Sequence, residues 1–448
     1  MEFLSFFQTI LAFLVSLLLA YIGDSLFRIP NGITLKFPMR NQAFRLSLQP
    51  WFNFQLPSFL GIISAGLLIK NYANFLIFHL NYDLVNIIRI ISTITIIYKI
   101  GLGIDFKVLR KHKFSIFALS LIPNLIEALY VSFYSWKING LLTKDFAFCL
   151  GFEVSGASTA ILMPILLAFQ QEKVNQLNGI PSILLAASVL DNIFSIFAFN
   201  FARTLALSPQ NASFSLILFE RLEGLVIGLI LGLLMGFGLK CLNQKIKPEI
   251  IFIIGYFGGI LSVFWLDIHG FRGAGFILVF ISTLISTNND ERIEELSENF
   301  WEILRLFLFF FIGISIDFQQ IDRNLLQNAI VLVFSSSTIR ALLTILILYL
   351  FENLSRKEMI FGGISWIAKA SLQAALGTSI FYESINKNYP EDIRIQALRI
   401  SQISICYIVI TGPLGAVFIN KYGRKLLENP RISEKPGNCE ENVKLIIR

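Results

Sequence analysis

Three histidines and four cysteines are few for a chain of 448 residues. The cysteines, Cys149, Cys241, Cys406 and Cys439, are scattered, with no spacing that frames disulfides or gathers around a metal. Charge is also scarce: Asp, Glu, Lys and Arg make up 15% of the chain, against about 25% in soluble domains. These shortages argue against a metalloenzyme, a disulfide scaffold and a soluble domain. What fills the chain is apolar: 55% hydrophobic residues, 44 of them phenylalanine, with a mean hydropathy of +0.68. A polytopic helical membrane protein follows, with the lipid bilayer as its main partner. The net charge of +7 then reflects Lys and Arg in cytoplasmic loops rather than nucleic-acid binding. The first apolar run, from Phe3, lacks a basic leader and a small-residue cleavage site, so it reads as a retained span.

About thirteen apolar segments are long enough to cross a bilayer at ~20 residues each. They run over 3–27, 57–70, 85–103, 113–136, 145–169, 180–204, 213–242, 249–266, 272–287, 297–316, 325–351, 357–382 and 394–420. Basic residues collect in alternate loops: Arg28, Lys36, Arg40 and Arg45; then Lys107, Arg110, Lys111 and Lys113; then Lys240, Lys245 and Lys247; then Arg356 and Lys357; then Lys421, Arg424, Lys425 and Arg431. The positive-inside rule therefore puts the N-terminus outside and the C-terminus in the cytoplasm. The sequon at Asn211 falls in an outside loop and is the glycosylation candidate, whereas the one at Asn353 falls inside. An odd span number with opposed termini fits two inverted six-helix repeats around a linker helix, an all-α architecture common among secondary transporters. The tail, 428–448, is polar and basic and reads as disordered.

Several polar residues fall where water is absent. Asp191 lies in the middle of the sixth segment, at a cost of roughly 2.5–3.5 kcal/mol on insertion scales. In the fifth segment Glu153, Ser155, Gly156, Ser158 and Thr159 cluster ahead of Pro164. Small and hydroxyl residues beside a proline point to an unwound stretch whose carbonyls and hydroxyls could hold a small cation; the alternative is a tight small-residue helix contact. In the twelfth segment Lys369 and Gln373 are spaced by one helical turn. Lys369 either pairs with an acid or stands at a crossing of broken helices, where it would offset their carbonyl ends. Glu127 in the fourth segment and Arg340 in the eleventh each need a partner, and an ion pair between them is the economical reading. Arg89, Lys99, Glu220, Glu223, Glu302 and Arg305 lie nearer span ends, and most read as side chains snorkelling to the interface, with Glu220 either there or deeper.

These residues carry a resemblance. The chain is similar to the monovalent cation/proton antiporters, and most closely to the animal sodium/hydrogen exchangers of solute carrier family 9 subfamily B. The matching stretches include Gly101-Leu-Gly-Ile-Asp105, Ile126-Glu-Ala128, Gly151-Phe, Ala157-Ser158, Asp191 with Asn200, His269-Gly-Phe-Arg-Gly-Ala-Gly275, Ile339-Arg340, Trp366-Ile-Ala-Lys-Ala-Ser-Leu-Gln-Ala-Ala-Leu-Gly377 and Thr411-Gly-Pro-Leu-Gly415. The resemblance implies a sodium/proton antiporter fold with discontinuous crossing helices within 1–427. A core bundle of about 113–204 and 325–420 would move against dimer and scaffold helices of about 3–103 and 249–316, with 213–242 as linker. It implies a homodimer, no cofactor, and transported Na⁺ or Li⁺ and H⁺. Carried over, Asp191, Asn192, Ser158 and Thr159 line the ion site with Na⁺ or Li⁺ at Asp191. Lys369 sits at the helix crossing, and Glu127 with Arg340 forms the core pair.

Two departures bear on function. Relatives have two adjacent aspartates, or Asn then Asp, where this chain has Asp191-Asn192, and Thr159 stands where close relatives have proline. Glu153 is a possible auxiliary acid. The function implied is a secondary antiporter, not an enzyme, in which cation and proton compete for a buried carboxylate under alternating access. The alternative is a transport-deficient or altered-selectivity member with a structural or regulatory role.

Overall fold

The structure is a computed structural model. It describes residues 14–25, 35–36, 45–46, 58–73, 82–103, 106–171, 179–207, 214–243, 245–271, 273–286, 291–315 and 323–427, with 12, 75 and 317. The sequon at Asn211 and the tail 428–448 lie outside the described residues.

Helices dominate. In chain order they are α1 (Leu14–Ser25), α2 (Ser58–Tyr72), α3 (Tyr82–Leu102), α4 (Phe106–Lys111), α5 (Lys113–Phe133), α6 (Lys144–Ser155), α7 (Thr159–Gln171), α8 (Ile180–Leu207), α9 (Phe214–Asn243), α10 (Pro248–Ile268), α11 (Ala274–Ser286), α12 (Glu291–Gly313), α13 (Arg323–Phe351), α14 (Arg356–Ser365), α15 (Ser371–Leu376), α16 (Ser379–Asn386) and α17 (Glu391–Leu427). One two-residue antiparallel ladder joins Leu35 to Leu46 and Lys36 to Arg45. Six helices among the described residues are continuous, long and apolar enough to cross a membrane. The others are mostly shorter, apart from α3 with 21 residues and α12 with 23. The basic loop expected near residues 104–113 is instead the short helix α4 running into α5.

Local chemistry sets several boundaries. Pro248 opens α10, where its missing N–H costs nothing. Ser355 and Glu358 form a reciprocal capping box at α14: Glu358 donates its backbone N–H to the Ser355 hydroxyl, and Ser355 donates its own to the Glu358 carboxylate. Between α10 and α11, Gly270 and Gly273 have φ of +89° and +87°, a region that side chains avoid.

Two of the thirteen expected segments are broken. The fifth divides into α6 and α7 at Gly156–Ser158, and the twelfth divides after Ser365, with residues 366–370 non-helical before α15. Pro164 lies inside α7 rather than at the break. Lys369 sits within the second interruption, so its spacing to Gln373 is not the helical turn that the sequence suggested.

The apolar core forms two clusters that split the long helices part-way along. On α8, Ile180–Ala187 contribute to one cluster, and Val189, Ile196, Phe199 and Ala202 to the other. On α13 the order is reversed: Ile347 and Leu348 join the cluster of Ile180–Ala187, and Leu325, Ala329, Leu332 and Val333 join the other. The buried polar residues lie in the sequence between: Asn124 and Glu127 on α5, Asp191 and Asn192 on α8, Ser336 and Arg340 on α13. Both interruptions open into this seam. α5, α6 and α8 pack on one another, α13 packs on α5, and α17 on α13, α14 and α16; elsewhere α9 packs on α11, and α12 on α2 and α3.

Candidate functional site

Each interruption exposes backbone groups that a continuous helix would satisfy internally. At the end of α6 the free groups are carbonyls. Lys369 Nζ donates to the Ser155 carbonyl at 2.9 Å, and an Arg340 Nη1–H donates to the same oxygen. Gln373 Nε2 donates to the carbonyls of Gly156 at 2.9 Å and Glu153 at 3.2 Å. At the start of α7 the free groups are N–H donors, and an acid meets them: Ala157 N donates to Asp191 Oδ2 at 2.7 Å. Cations therefore stand at the negative end of one half-helix and a carboxylate at the positive end of the other, which is the favourable arrangement.

The two interruptions touch. Ser158 N donates to the Ala368 carbonyl at 2.8 Å, and Ser371 N donates to Ser158 Oγ at 3.3 Å. Close approach of α17 completes the crossing. A Cβ at Gly415 would lie 2.5 Å from Ala368 Cβ, and one at Gly412 would lie 3.1 Å from the Lys369 carbonyl oxygen. This accounts physically for the Thr411-Gly-Pro-Leu-Gly415 stretch.

Four charges meet at the crossing, all fully buried. Arg340 Nη1 donates to Glu127 Oε2 at 2.7 Å, and Arg340 Nη2 donates to Asp191 Oδ1 at 2.6 Å. Lys369 Nζ donates to the same Glu127 oxygen at 2.7 Å. Glu127 and Arg340 are in contact, but the cluster is larger than the pair read from the sequence. Two acids face two bases, so the formal charge is balanced. Burial of this kind is tolerable only when every member keeps its partners.

Asp191 is thus occupied by protein groups. Asn124 Nδ2 also donates to its Oδ1, at 2.8 Å, and to Ser195 Oγ at 2.7 Å. Asn192 points elsewhere: its Nδ2 reaches Thr159 Oγ1 at 3.4 Å, and its buried Oδ1 has no hydrogen-bond partner. Ser158 and Thr159 are buried beside the crossing. Glu153, on α6, is buried, and its Oε2 accepts from Ser404 Oγ at 2.6 Å. The structure brings Asp191, Glu127, Arg340 and Lys369 into one network and puts Asn192 with Thr159, while Glu153 has its own partner on α17.

The sequence reading passed over Asn124, Ser195, Ser371 and Ser404. Asn124 stands three residues before Glu127, and Ser195 four after Asp191, the spacings of one helix face, so both carried a usable signal. Ser404 carried none. Two expectations are corrected. Arg89 and Arg305, read as snorkelling, are 1% and 7% exposed. Arg305 is held by Asp24 at 2.9 and 3.0 Å, and by Glu302 at 2.7 Å. The Arg89 guanidinium lies 4.5 Å from the ring centroid of Tyr382 and donates to the Phe311 carbonyl at 3.3 Å. Acids and carbonyls on neighbouring helices hold these side chains inside, which span-end position alone did not reveal.

Comparison with known proteins shows the family. Residues 46–420 match the family described as "Sodium/hydrogen exchanger, transmembrane". The chain is 28% identical to sodium/hydrogen exchanger 9B2 of Homo sapiens over 386 residues, covering 83% of this chain and 70% of that protein. It is 27% identical to sodium/hydrogen exchanger 9B1 of Macaca fascicularis over 395 residues, covering 86% and 75%. Among solved structures, the sodium proton antiporter MjNhaP1 from Methanocaldococcus jannaschii at pH 8 superimposes with a TM-score of 0.69 at 16% identity, over 95% of this chain and 98% of that one. The chain belongs to the sodium/hydrogen exchanger family, as an integral multi-pass membrane protein of transporter type.

Proposed function

We propose that this member of the sodium/hydrogen exchanger family exchanges Na⁺ or Li⁺ for H⁺ as a secondary antiporter. The observation that carries the reading is the crossing of two interrupted helices around a buried, charge-balanced cluster. Backbone ends and neutral oxygens there supply the kind of ligands that carriers offer their ions at interrupted helices. Cation and proton compete for a buried carboxylate: burial disfavours the charged form, and a bound cation restores it. The family pattern assigns the ion site to α8, with Asp191 and Asn192 beside Ser158 and Thr159, and Lys369 supporting the crossing.

Grouping α6 with α7 and α14 with α15 and α16, and running α4 into α5, gives thirteen crossings, read as two inverted six-helix units around α9. In this reading α5–α8 and α13–α17 form the mobile bundle, the remaining helices form the scaffold of a homodimer, the N-terminus lies outside and the C-terminus in the cytoplasm. Rocking of the bundle carries the loaded site across the bilayer.

One pair of observations favours a second reading, an intact fold that does not transport: Asp191 is ion-paired to Arg340, and Asn192 carries no charge. Liposomes loaded with a pH-sensitive dye and given Na⁺, Li⁺ or K⁺ gradients separate the two. Cation-driven proton movement by the wild type is the expected result. Movement absent in the wild type and gained in Asn192→Asp would instead mark a degenerate ion site.

A further inference from the structure

The buried acids at the crossing are not equivalent. Asp191 and Glu127 are matched by Arg340 and Lys369, which leaves no surplus positive charge. Glu153 is a fifth buried charged group in the same region, fully enclosed. Among the described residues no Lys, Arg or His nitrogen lies within ion-pairing distance of it. Its Oε1 has no hydrogen-bond partner. The charged group that bears on it is Lys369 from the interruption, while the neutral Tyr407 hydroxyl on α17 and Cys149 thiol on its own helix lie near enough to feel its charge. Lys369 is already committed to Glu127 and the Ser155 carbonyl.

We infer that Glu153, rather than Asp191, is the carboxyl group that takes up and releases the proton in exchange for the cation. The inference rests on the antiport reading and names the titrating group within it. An isolated buried carboxylate is expensive, so Glu153 must hold either a proton or a cation. Its one partner suits both states. Ser404 Oγ lies 2.6 Å from Glu153 Oε2 and 2.8 Å from the Ile400 carbonyl, and a hydroxyl has a single proton to give. When Glu153 is ionised, Ser404 donates to it. When Glu153 is protonated, its O–H donates to Ser404, which then donates to Ile400. The proton changes hands without any heavy atom moving. Ser404 is fixed in place by Gly377, where an added Cβ would lie 2.5 Å from Ser404 Oγ. Glu153 is also tied to the crossing, because its backbone carbonyl accepts from Gln373.

The step balances. As Na⁺ approaches, the Glu153 O–H bond breaks, the proton passes to water on the side to which the site is open, and the electron pair stays on the carboxylate that coordinates Na⁺. One monovalent cation replaces one proton, so exchange through Glu153 with the Asp191–Arg340 pair intact is electroneutral.

The test uses the purified full-length protein in detergent and in liposomes, with Na⁺ as probe and choline as control. On adding Na⁺, the infrared band of a protonated carboxyl disappears in the wild type and is missing altogether in Glu153→Gln. In liposomes Glu153→Gln falls to the level of empty vesicles, while Glu153→Asp exchanges with a displaced pH midpoint. Glu153→Gln puts a neutral amide of the same shape in place of the protonated carboxyl, so its unfolding temperature stays at or above that of the wild type, which sets loss of folding apart from loss of the proton site. Exchange that survives in Glu153→Gln overturns the assignment and leaves antiport standing. A wild type that is silent in liposomes but loses the Glu153 band on Na⁺ binding overturns antiport and leaves the assignment standing. A Na⁺ response that is the same in Glu153→Gln, or absent from the wild type, overturns the assignment.

Discussion

The crossing and the α9–α11 contact are both close helix contacts, but their chemistry is opposite. On α9, Gly224, Gly228, Gly232 and Gly236 recur every four residues along the ridge that meets α11. A Cβ at Gly228 would lie 2.4 Å from the Ala274 carbonyl oxygen, and one at Gly236 would lie 3.0 Å from Ser282 Cα. Nothing charged takes part; the backbones simply approach until van der Waals contact is made, as bilayer helices without a hydrophobic driving force must do. At the crossing, by contrast, helix ends are held by ions and amides whose loss leaves groups unpaired. The glycine contact has one state. The charged crossing holds several donors and acceptors that can exchange partners, a property that the ion site proposed there requires.

The largest effect expected from breaking this contrast is at Arg340. Arg340→Met leaves Asp191 without its ion pair and Glu127 with Lys369 alone, and should cost about 3–5 kcal/mol, read as a large drop in the detergent unfolding temperature. Gly228→Val should come next, at about 1–3 kcal/mol, because the clash is with backbone and α11 must back away. The loss should show in unfolding while the Na⁺-induced carboxyl signal survives. Gly238→Ala sharpens the comparison at its smallest end. Gly238 is on the same helix but off the ridge, with nothing within 4 Å of an added Cβ. It should be neutral or stabilising by up to about 1 kcal/mol; a destabilisation matching Gly228→Val would show that α9 does not pack through its glycine ridge.

Much of the site could be read in advance because buried charge is rare in apolar sequence. Glu127, Arg340, Asp191 and Lys369 each stood out as a residue that could not face lipid. Their connections were less legible. Arg340 was matched to Glu127, but its second partner, Asp191, and the bond from Lys369 to Glu127 depend on how α5, α8, α13 and the second interruption converge. Pro164 suggested the first break but sits inside α7, because the chain unwinds where Arg340, Lys369 and Gln373 can satisfy the carbonyls of α6. Arg89 and Arg305 were misread since span-end position does not tell whether a neighbouring helix supplies a carbonyl, ring or acid.

The amino-acid sequence by itself determined the class of molecule, the positions of most helices and the identity of the charges at the crossing, because hydropathy and the cost of burying charge are properties of residues and their local order. Only the tertiary structure decided which acid is matched by which base. Glu127, Asp191 and Glu153 are all carboxylates in apolar segments, and nothing in their local sequence ranks them. Two receive a cation from a distant helix and one does not, and that difference arises from Coulomb and hydrogen-bond contacts between residues up to 242 positions apart.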